Sequence, residues 1–130
     1  MVGRAGRRVL RELLPDLRAE LDVRFVVANG ENAAGGLGIT PKEADELFRL
    51  GIDAITLGNH TYRHREIWPY LEQERRIVRP YNFLPSQPGR GTTTGSTRAG
   101  GAGDGSCKGC ASSGAGSPTL SSVSCAMTRR

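Results

Sequence analysis

The side chains best suited to chemistry follow two apolar runs of the chain. Glu31 and Asn32 come directly after one run, and Asn59 and His60 come after the next. Because α/β sheets bind their ligands at the carboxyl ends of the strands, we expect these side chains to lie close together. Carboxylate and amide oxygens bind hard divalent cations and Mn- or Fe-type ions, and a carboxylate can bridge two of them. An imidazole at a strand end can give a proton to a leaving alkoxide.

The same residues have a plainer interpretation. Asparagines supply turn geometry, and a glutamate caps a backbone amide. On residue type and spacing alone, this interpretation is the favoured one for Glu31, Asn32 and Asn59. For His60, a solvated or core histidine and a proton donor are equally well supported. His64 lies among arginines and is expected at the surface.

Helices should flank the two loops that carry these residues. Leucines at three- and four-residue spacings predict a first helix over about 9–21, which Pro15 is expected to kink or restart. Thr40 and Glu43 form a capping-box pattern for a second helix, which Gly51 ends. The glycine-rich loop before this helix could approach a phosphate, but it lacks the lysine of a P-loop.

The strands predicted between these helices are short and apolar. They lie at 24–28, 52–57 and 77–78, with a third helix over about 64–74 between the last two. Helices and strands therefore alternate, which is typical of an α/β domain with a mostly parallel sheet.

The composition changes abruptly near Gly91. The chain has 130 residues, enough for one modest domain, and a net charge of +5. Residues 1–91 carry 14 Lys and Arg against 12 Asp and Glu, which indicates no concentrated basic face, so a nucleic-acid partner is not expected. The segment 92–130 is rich in Gly, Ser and Thr, holds all three cysteines, and is predicted to be disordered.

The sequence has no apolar run of about 18 residues, the length that a membrane-spanning helix needs. A cytoplasmic protein is therefore the default expectation.

Six stretches of residues 1–91 form a linked set of motifs in a fixed order and spacing. They are Gly3–Arg8, Val27–Gly36, Gly38–Pro41, Thr56–His60, Arg79–Asn82 and Pro88–Gly91. With these motifs the chain resembles the YmdB-type family of calcineurin-like metallophosphoesterases, which are bacterial cyclic-nucleotide phosphodiesterases.

The resemblance implies a role for each candidate residue. Glu31 would bridge two metal ions, Asn32 would bind the first and Asn59 the second, and His60 would be the proton donor. The metals would be Fe or Mn, and the reaction would be two-metal hydrolysis of a small cyclic nucleotide. The implied fold is a four-layer α/β/β/α sandwich, of which this chain would hold only the N-terminal βα part. Homo-oligomerisation of the intact protein stays open.

The departures from the family predict an incomplete site. The family begins with a strand that ends in a metal-binding aspartate, and here Met1 occupies that edge. Its other ligands are histidines of the C-terminal half, whereas this chain has no histidine after His64. Thr61–Arg63 also differs from the usual residues after the Gly-Asn-His motif.

We therefore expect a truncated, inactive copy with a frameshift near residue 91 and a start placed too late, since the tail is typical of GC-rich DNA translated out of frame. Translation of the surrounding DNA in all frames tests this. An isolated fragment is expected to leave apolar helix and sheet faces uncovered and to be poorly soluble or molten.

A rival interpretation comes from another class of protein. The chain would be a small non-catalytic protein whose basic tail, with Arg98, Lys108, Arg129 and Arg130, binds RNA or another polyanion. The tail lacks aromatic residues for base stacking, which counts against this interpretation.

Overall fold

A computed structural model of the chain describes residues 1–96, 104–108 and 127–128. Helices and strands alternate through most of this part, as predicted. The helices are α1 (Gly3–Glu20), α2 (Pro41–Arg49) and α3 (Ile67–Gln73). The strands are β1 (Phe25–Asn29), β2 (Ala54–Thr56), β3 (Ile77–Val78), β4 (Thr92–Ser96), β5 (Asp104–Lys108) and β6 (Met127–Thr128).

The main sheet has the strand order β3-β2-β1-β6. Strands β1, β2 and β3 are parallel, with Val27 opposite Ala54 and Ile55 opposite Ile77. The connections from β1 to β2 and from β2 to β3 run in the same direction across the sheet. Because such crossover connections are right-handed, their helices α2 and α3 lie on the same face of the sheet. The carboxyl ends of β1 and β2 meet at one edge, and the candidate residues follow both ends.

The core lies between the helices and one face of the sheet. Buried side chains of α1, α2 and α3 form a single cluster with Val26, Ala28 and Ile55. Because side chains alternate along a strand, Phe25, Val27 and Ala54 face the other way and form a second, smaller cluster.

The expectation of an uncovered sheet face is wrong at these three positions. Phe25, Val27 and Ala54 are only 4%, 8% and 1% exposed. The expectation holds for α1, where Val9 and Leu13 are 48% and 52% exposed while Leu14 is buried.

Helix α1 is longer than its leucine pattern predicts. It begins at Gly3 and continues through Pro15 to Glu20, so the predicted restart is wrong. Its first turn is held from outside the helix, because the Gly3 N–H donates to the Asn32 carbonyl at 3.0 Å. This long-range contact extends the helix beyond the residues that carry the apolar pattern.

The boundaries of α2 and α3 follow their local signals. Thr40 caps α2 and forms a capping box with Glu43, and Gly51 ends the segment at φ +100°. Pro69 lies in the first turn of α3, where its missing N–H costs no intrahelical bond. This helix begins at Ile67, three residues later than the start of the predicted range.

The predicted disordered tail is described only in part. Within it, β4 and β5 pair as antiparallel strands, and β6 pairs antiparallel with β1. These segments are extended strands, and the rest of the prediction falls outside the described residues. Over the part of the chain that the structure describes, no helix is both long and apolar enough to cross a membrane.

Candidate active site

We call the loop after β1, residues 30–39, the candidate metal loop. It packs closely against the end of β2. The Gly30 N–H donates to the Thr56 carbonyl at 2.9 Å. A Cβ at Gly30 would lie 2.7 Å from Cγ2 of Ile55, so the loop comes closer to β2 than a residue with a side chain allows. Asn29 Oδ1 accepts the Glu31 N–H at 3.2 Å, an Asx turn. Asn29 therefore supplies turn geometry, a role that the plainer interpretation gave to Asn32 and Asn59.

Glu31 reaches across to the loop that follows β2. A Cβ built on Gly58 would lie 1.4 Å from Glu31 Oε2 and 2.6 Å from Glu31 Cδ. The carboxylate thus occupies the space that any other residue at position 58 would fill with its side chain. Asn59 comes next in the chain and is exposed. The structure therefore places Glu31 beside the Asn59 loop, although it records no bond between their side chains.

Asn32 and His60 are in direct contact. An Asn32 side-chain amide atom lies 2.9 Å from His60 Nδ1. The amide is best satisfied with its nitrogen on this side, because that nitrogen then also donates to the Gly36 carbonyl at 2.8 Å. With the nitrogen donating to Nδ1, the neutral ring carries its proton on Nε2.

In this orientation the amide oxygen of Asn32 faces a carboxylate oxygen of Glu31, with no hydrogen atom between them. The other amide atom of Asn32, which is then the oxygen, lies 3.5 Å from Glu31 Oε1. Two oxygens bound to one hard cation are typically about 3–3.5 Å apart. Glu31 and Asn32 therefore fit as neighbouring ligands of one metal ion.

The donor set is nevertheless small. Among the described residues, no group of three or more His, Cys, Asp or Glu side chains could hold a metal ion. Glu31 supplies the one carboxylate of the four candidate residues. The arrangement fits one side of a metal centre and not a complete one.

Helix α1 holds the candidate metal loop from the other side. Arg7 donates from Nη1 to the Ala33 carbonyl at 2.5 Å, and the terminal ammonium of Met1 donates to the Asn29 carbonyl at 3.4 Å. Arg7 also lies 2.8 Å from Glu46 of α2, with its side chain 12% exposed. One arginine thus links this loop to two helices.

His64 is half-buried, and at the surface its ring forms a hydrogen bond to the candidate metal loop. A ring nitrogen of His64 lies 2.9 Å from the Leu37 carbonyl, where it donates a hydrogen bond. A Cβ at Gly38, which has φ +76°, would lie 2.8 Å from the His64 ring. His64 therefore fastens the candidate metal loop to the segment after His60.

A buried arginine organises the loop after β3, and the residue types alone did not single it out. Arg79 is 6% exposed and donates to the carbonyls of Gly89, Pro80, Phe83 and Leu84 at 3.1–3.3 Å. These carbonyls satisfy the guanidinium in place of a carboxylate.

The loop that Arg79 organises also borders the residues after His60. Tyr62 donates from its hydroxyl to the Pro88 carbonyl at 2.7 Å, and its ring lies 5.8 Å from that of Phe83. Burial raises the pKa of Tyr62, although Arg79 opposes this effect, so the phenol stays protonated as a donor. The departure from the family at Tyr62 therefore lies in a packed region between His60 and the β3 loop.

The start of α2 is not free for a phosphate. The Thr40 N–H donates to Glu43 Oε2 at 3.2 Å, so the carboxylate of the capping box occupies the helix terminus. A phosphate there would meet a negative charge. The weak indication that the glycine-rich loop presents a phosphate to this helix therefore finds no support in the geometry.

Comparison with known proteins gives consistent matches. The model of the family described as YmdB-like protein matches residues 1–102, which extends past the boundary predicted at Gly91. The chain is 42% identical over 93 residues to a 2′,3′-cyclic-nucleotide 2′-phosphodiesterase of Bacillus subtilis, covering 72% of this chain and 35% of the relative. It is 30% identical to a putative phosphatase/phosphodiesterase of Mycoplasma genitalium, covering 63% of this chain and 29% of the relative.

Two solved structures share the fold. A hypothetical protein of Thermus thermophilus matches with a TM-score of 0.65 and 36% identity, over 72% of this chain and 36% of that one. A novel phosphatase of Mycoplasma pneumoniae matches with a TM-score of 0.66 and 29% identity, over 72% of this chain and 34% of that one. The α/β fold with a parallel sheet is thus confirmed, and it is shared with a phosphatase.

The chain spans about a third of the length of the relatives that it matches. The family match nevertheless covers α1, the parallel strands β1 to β3 and both loops of the candidate site. The chain therefore belongs to the YmdB-like protein family, whose relatives here include phosphodiesterases.

Proposed function

We propose that this chain carries one side of the dinuclear metal site of a phosphodiesterase that acts on cyclic nucleotides. The observation that carries the proposal is the Glu31 carboxylate, which lies against Gly58 between the ends of two parallel strands. The 2′,3′-cyclic-nucleotide activity named for the Bacillus relative supports the substrate class. Hydrolysis of 3′,5′-cyclic nucleotides and a cytoplasmic location are further parts of this proposal.

Each candidate residue has a stated task. Glu31, Asn32 and Asn59 would hold the metal ions, with Glu31 shared between two ions, Asn32 at the first and Asn59 at the second. Fe or Mn ions bound there would supply Lewis-acid activation of water and of the phosphate. His60 would act as an imidazolium, which gives its Nε2 proton to the leaving ribose oxygen and becomes a neutral ring. In that state Nδ1 keeps its proton and donates to the Asn32 amide, turned so that its oxygen faces the ring at 2.9 Å, and this contact holds the ring for the transfer.

We propose that the chain by itself does not hydrolyse cyclic nucleotides. Its four candidate residues include a single carboxylate, and two metal ions need more negative charge and more ligands than this set provides. The rival function, a basic tail that binds RNA, depends mainly on Arg98, Arg129 and Arg130. These residues lie outside the described part of the chain, and no observation favours that function.

Metal binding and hydrolysis test the two parts of the proposal separately. Manganese binding to the purified chain is measured by electron paramagnetic resonance, with Glu31→Gln as the test variant and Glu20→Gln, an exposed residue of α1, as the control. We expect weak binding that falls about tenfold in Glu31→Gln, as loss of a ligand charge requires, and no change in Glu20→Gln. If the unmodified chain, Glu31→Gln and Glu20→Gln all bound Mn²⁺ with equal affinity, Glu31 would not be a metal ligand.

Hydrolysis is measured with 2′,3′-cyclic AMP and Mn²⁺. We expect a rate at the level of the metal-free background. A manganese-dependent rate that Glu31→Gln abolishes would show the proposed chemistry and would contradict the inactivity of the chain.

A further inference from the structure

A groove between α1 and α2 has no part in the proposed reaction. It is open to solvent and has a volume of about 640 Å³. Five of its lining residues are cationic and one is acidic. They are Arg4, Arg7, Arg8, Arg11 and Lys42, with Glu46 as the carboxylate and Ala5 completing the wall.

The positive charge of this groove is only partly neutralised. Arg7 and Arg11 share Glu46, at 2.8 and 2.6 Å. Among the described residues, Arg8 pairs only with Glu12, at 4.0 Å, and both of these side chains are largely exposed. Within the described part of the chain, no ion pair is recorded for Lys42. The expectation, from composition, of no concentrated basic face is wrong at this groove. Four of the five cations lie on one face of α1, because they are spaced three or four residues apart, and Lys42 of α2 adds the fifth.

The chemistry of the lining selects a class of ligand. Guanidinium groups present planar donors that match phosphate oxygens, and lysine adds a mobile positive charge. The volume is within the range of small-molecule sites, about 300–1,000 Å³. The lining contains no aromatic side chain, so a nucleobase would have nothing to stack on.

We propose that the groove between α1 and α2 binds a compact oligophosphate, such as a di- or triphosphate chain. A chain of this kind offers several negative charges within the length of one groove. A longer nucleic acid gains no base contacts here and is the poorer match. The inference does not rest on the proposed phosphodiesterase function, because none of its residues is a candidate metal ligand.

The test is binding of inorganic tripolyphosphate to the full chain, measured by isothermal titration calorimetry in EDTA. The chelator removes metal ions, so the candidate active site contributes nothing to the signal. The test variant is Arg8→Gln with Lys42→Gln. The control is Arg65→Gln with Arg75→Gln, which removes the same charge from exposed positions outside the groove. Since all four residues are exposed, both proteins should fold, and circular dichroism checks this.

We expect the groove variant to bind tripolyphosphate at least tenfold more weakly, and the control variant to bind within about twofold of the unmodified chain. Equal weakening in both variants would overturn the proposal, because it would show a response to net charge alone. Sulfate bound as tightly as tripolyphosphate would overturn the oligophosphate class. An oligouridylate bound more tightly than tripolyphosphate, and lost in the groove variant, would reassign the groove to nucleic acid.

Discussion

Gly58 shows how a position without a side chain can serve the candidate site. The Glu31 carboxylate lies where a Cβ of residue 58 would be, at 1.4 Å from the ideal Cβ position. The carboxylate is the far end of a flexible side chain, so it can move aside if a methyl group is added. A substitution at Gly58 should therefore disturb the geometry of the site more than the stability of the fold.

We predict that Gly58→Ala changes the free energy of unfolding by less than about 1 kcal/mol but displaces the Glu31 carboxylate. Urea denaturation measures the first effect. The side-chain amide signal of Asn32 in a ¹⁵N spectrum reports the second, because Asn32 lies 3.5 Å from Glu31 Oε1.

The control for this prediction is the same substitution in a Glu31→Ala background, where the carboxylate is already gone. Gly58→Ala should then leave the Asn32 signal where Glu31→Ala alone puts it. A shift of equal size in both backgrounds would show that the methyl group acts through the backbone and not through Glu31.

At this scale, the position of the candidate residues at the strand ends was predictable from the sequence, and the residues that hold their loops in place were not. Glu31, Asn32 and His60 stand out because polar side chains directly follow apolar strands. His64 and Arg79 do not stand out, since their partners are main-chain carbonyls. A hydrogen bond to a backbone carbonyl leaves no trace in the residue type of the partner.

Among the elements, α2 was the most predictable because its signals are local. Thr40 and Glu43 form the capping box that their spacing predicts, and Gly51 adopts the positive φ that ends a helix. The start of α1 was not predictable in this way. The contact between Gly3 and Asn32 holds it, and no pattern within residues 1–8 encodes that contact.

The cap of α2 gives a test at this level. Thr40→Ala removes the side-chain oxygen that accepts the Glu43 N–H at 3.5 Å, and leaves the start of the helix without that acceptor. We predict a loss of about 1 kcal/mol in the free energy of unfolding. Thr40→Ser keeps the hydroxyl and should lose only a small part of this.

Urea denaturation measures both Thr40 variants, and the urea dependence of the free energy should not change. Thr40→Ser keeps the capping hydroxyl and removes only the methyl group. A loss of stability as large in Thr40→Ser as in Thr40→Ala would therefore point to packing of the threonine methyl group instead of capping.

The molecule as a whole has two apolar surfaces, of which one is buried and the other is partly exposed to solvent. The sheet face of Phe25, Val27 and Ala54 was expected to be uncovered and is buried, whereas Val9 and Leu13 on α1 are about half exposed. Amphipathic spacing does not distinguish between these outcomes, because it identifies the apolar side of an element and not the presence of a layer over it. The parallel arrangement of β1, β2 and β3 was predictable from the sequence. The strands β4, β5 and β6, which lie in the Gly/Ser/Thr-rich segment, were not.

We predict that the apolar surface of α1 limits the solubility of the chain. Replacing Val9 and Leu13 by Gln should raise the saturation concentration and lower the fluorescence of bound anilinonaphthalene sulfonate, because both side chains are already half in water. The free energy of unfolding should change by no more than about 0.5 kcal/mol. Leu14→Gln is the matched control on the same helix, since Leu14 is 2% exposed. It should cost about 2–5 kcal/mol and increase dye binding. If the double variant behaved like Leu14→Gln, Val9 and Leu13 would be part of the core, and the poor solubility expected of this chain would have to arise elsewhere.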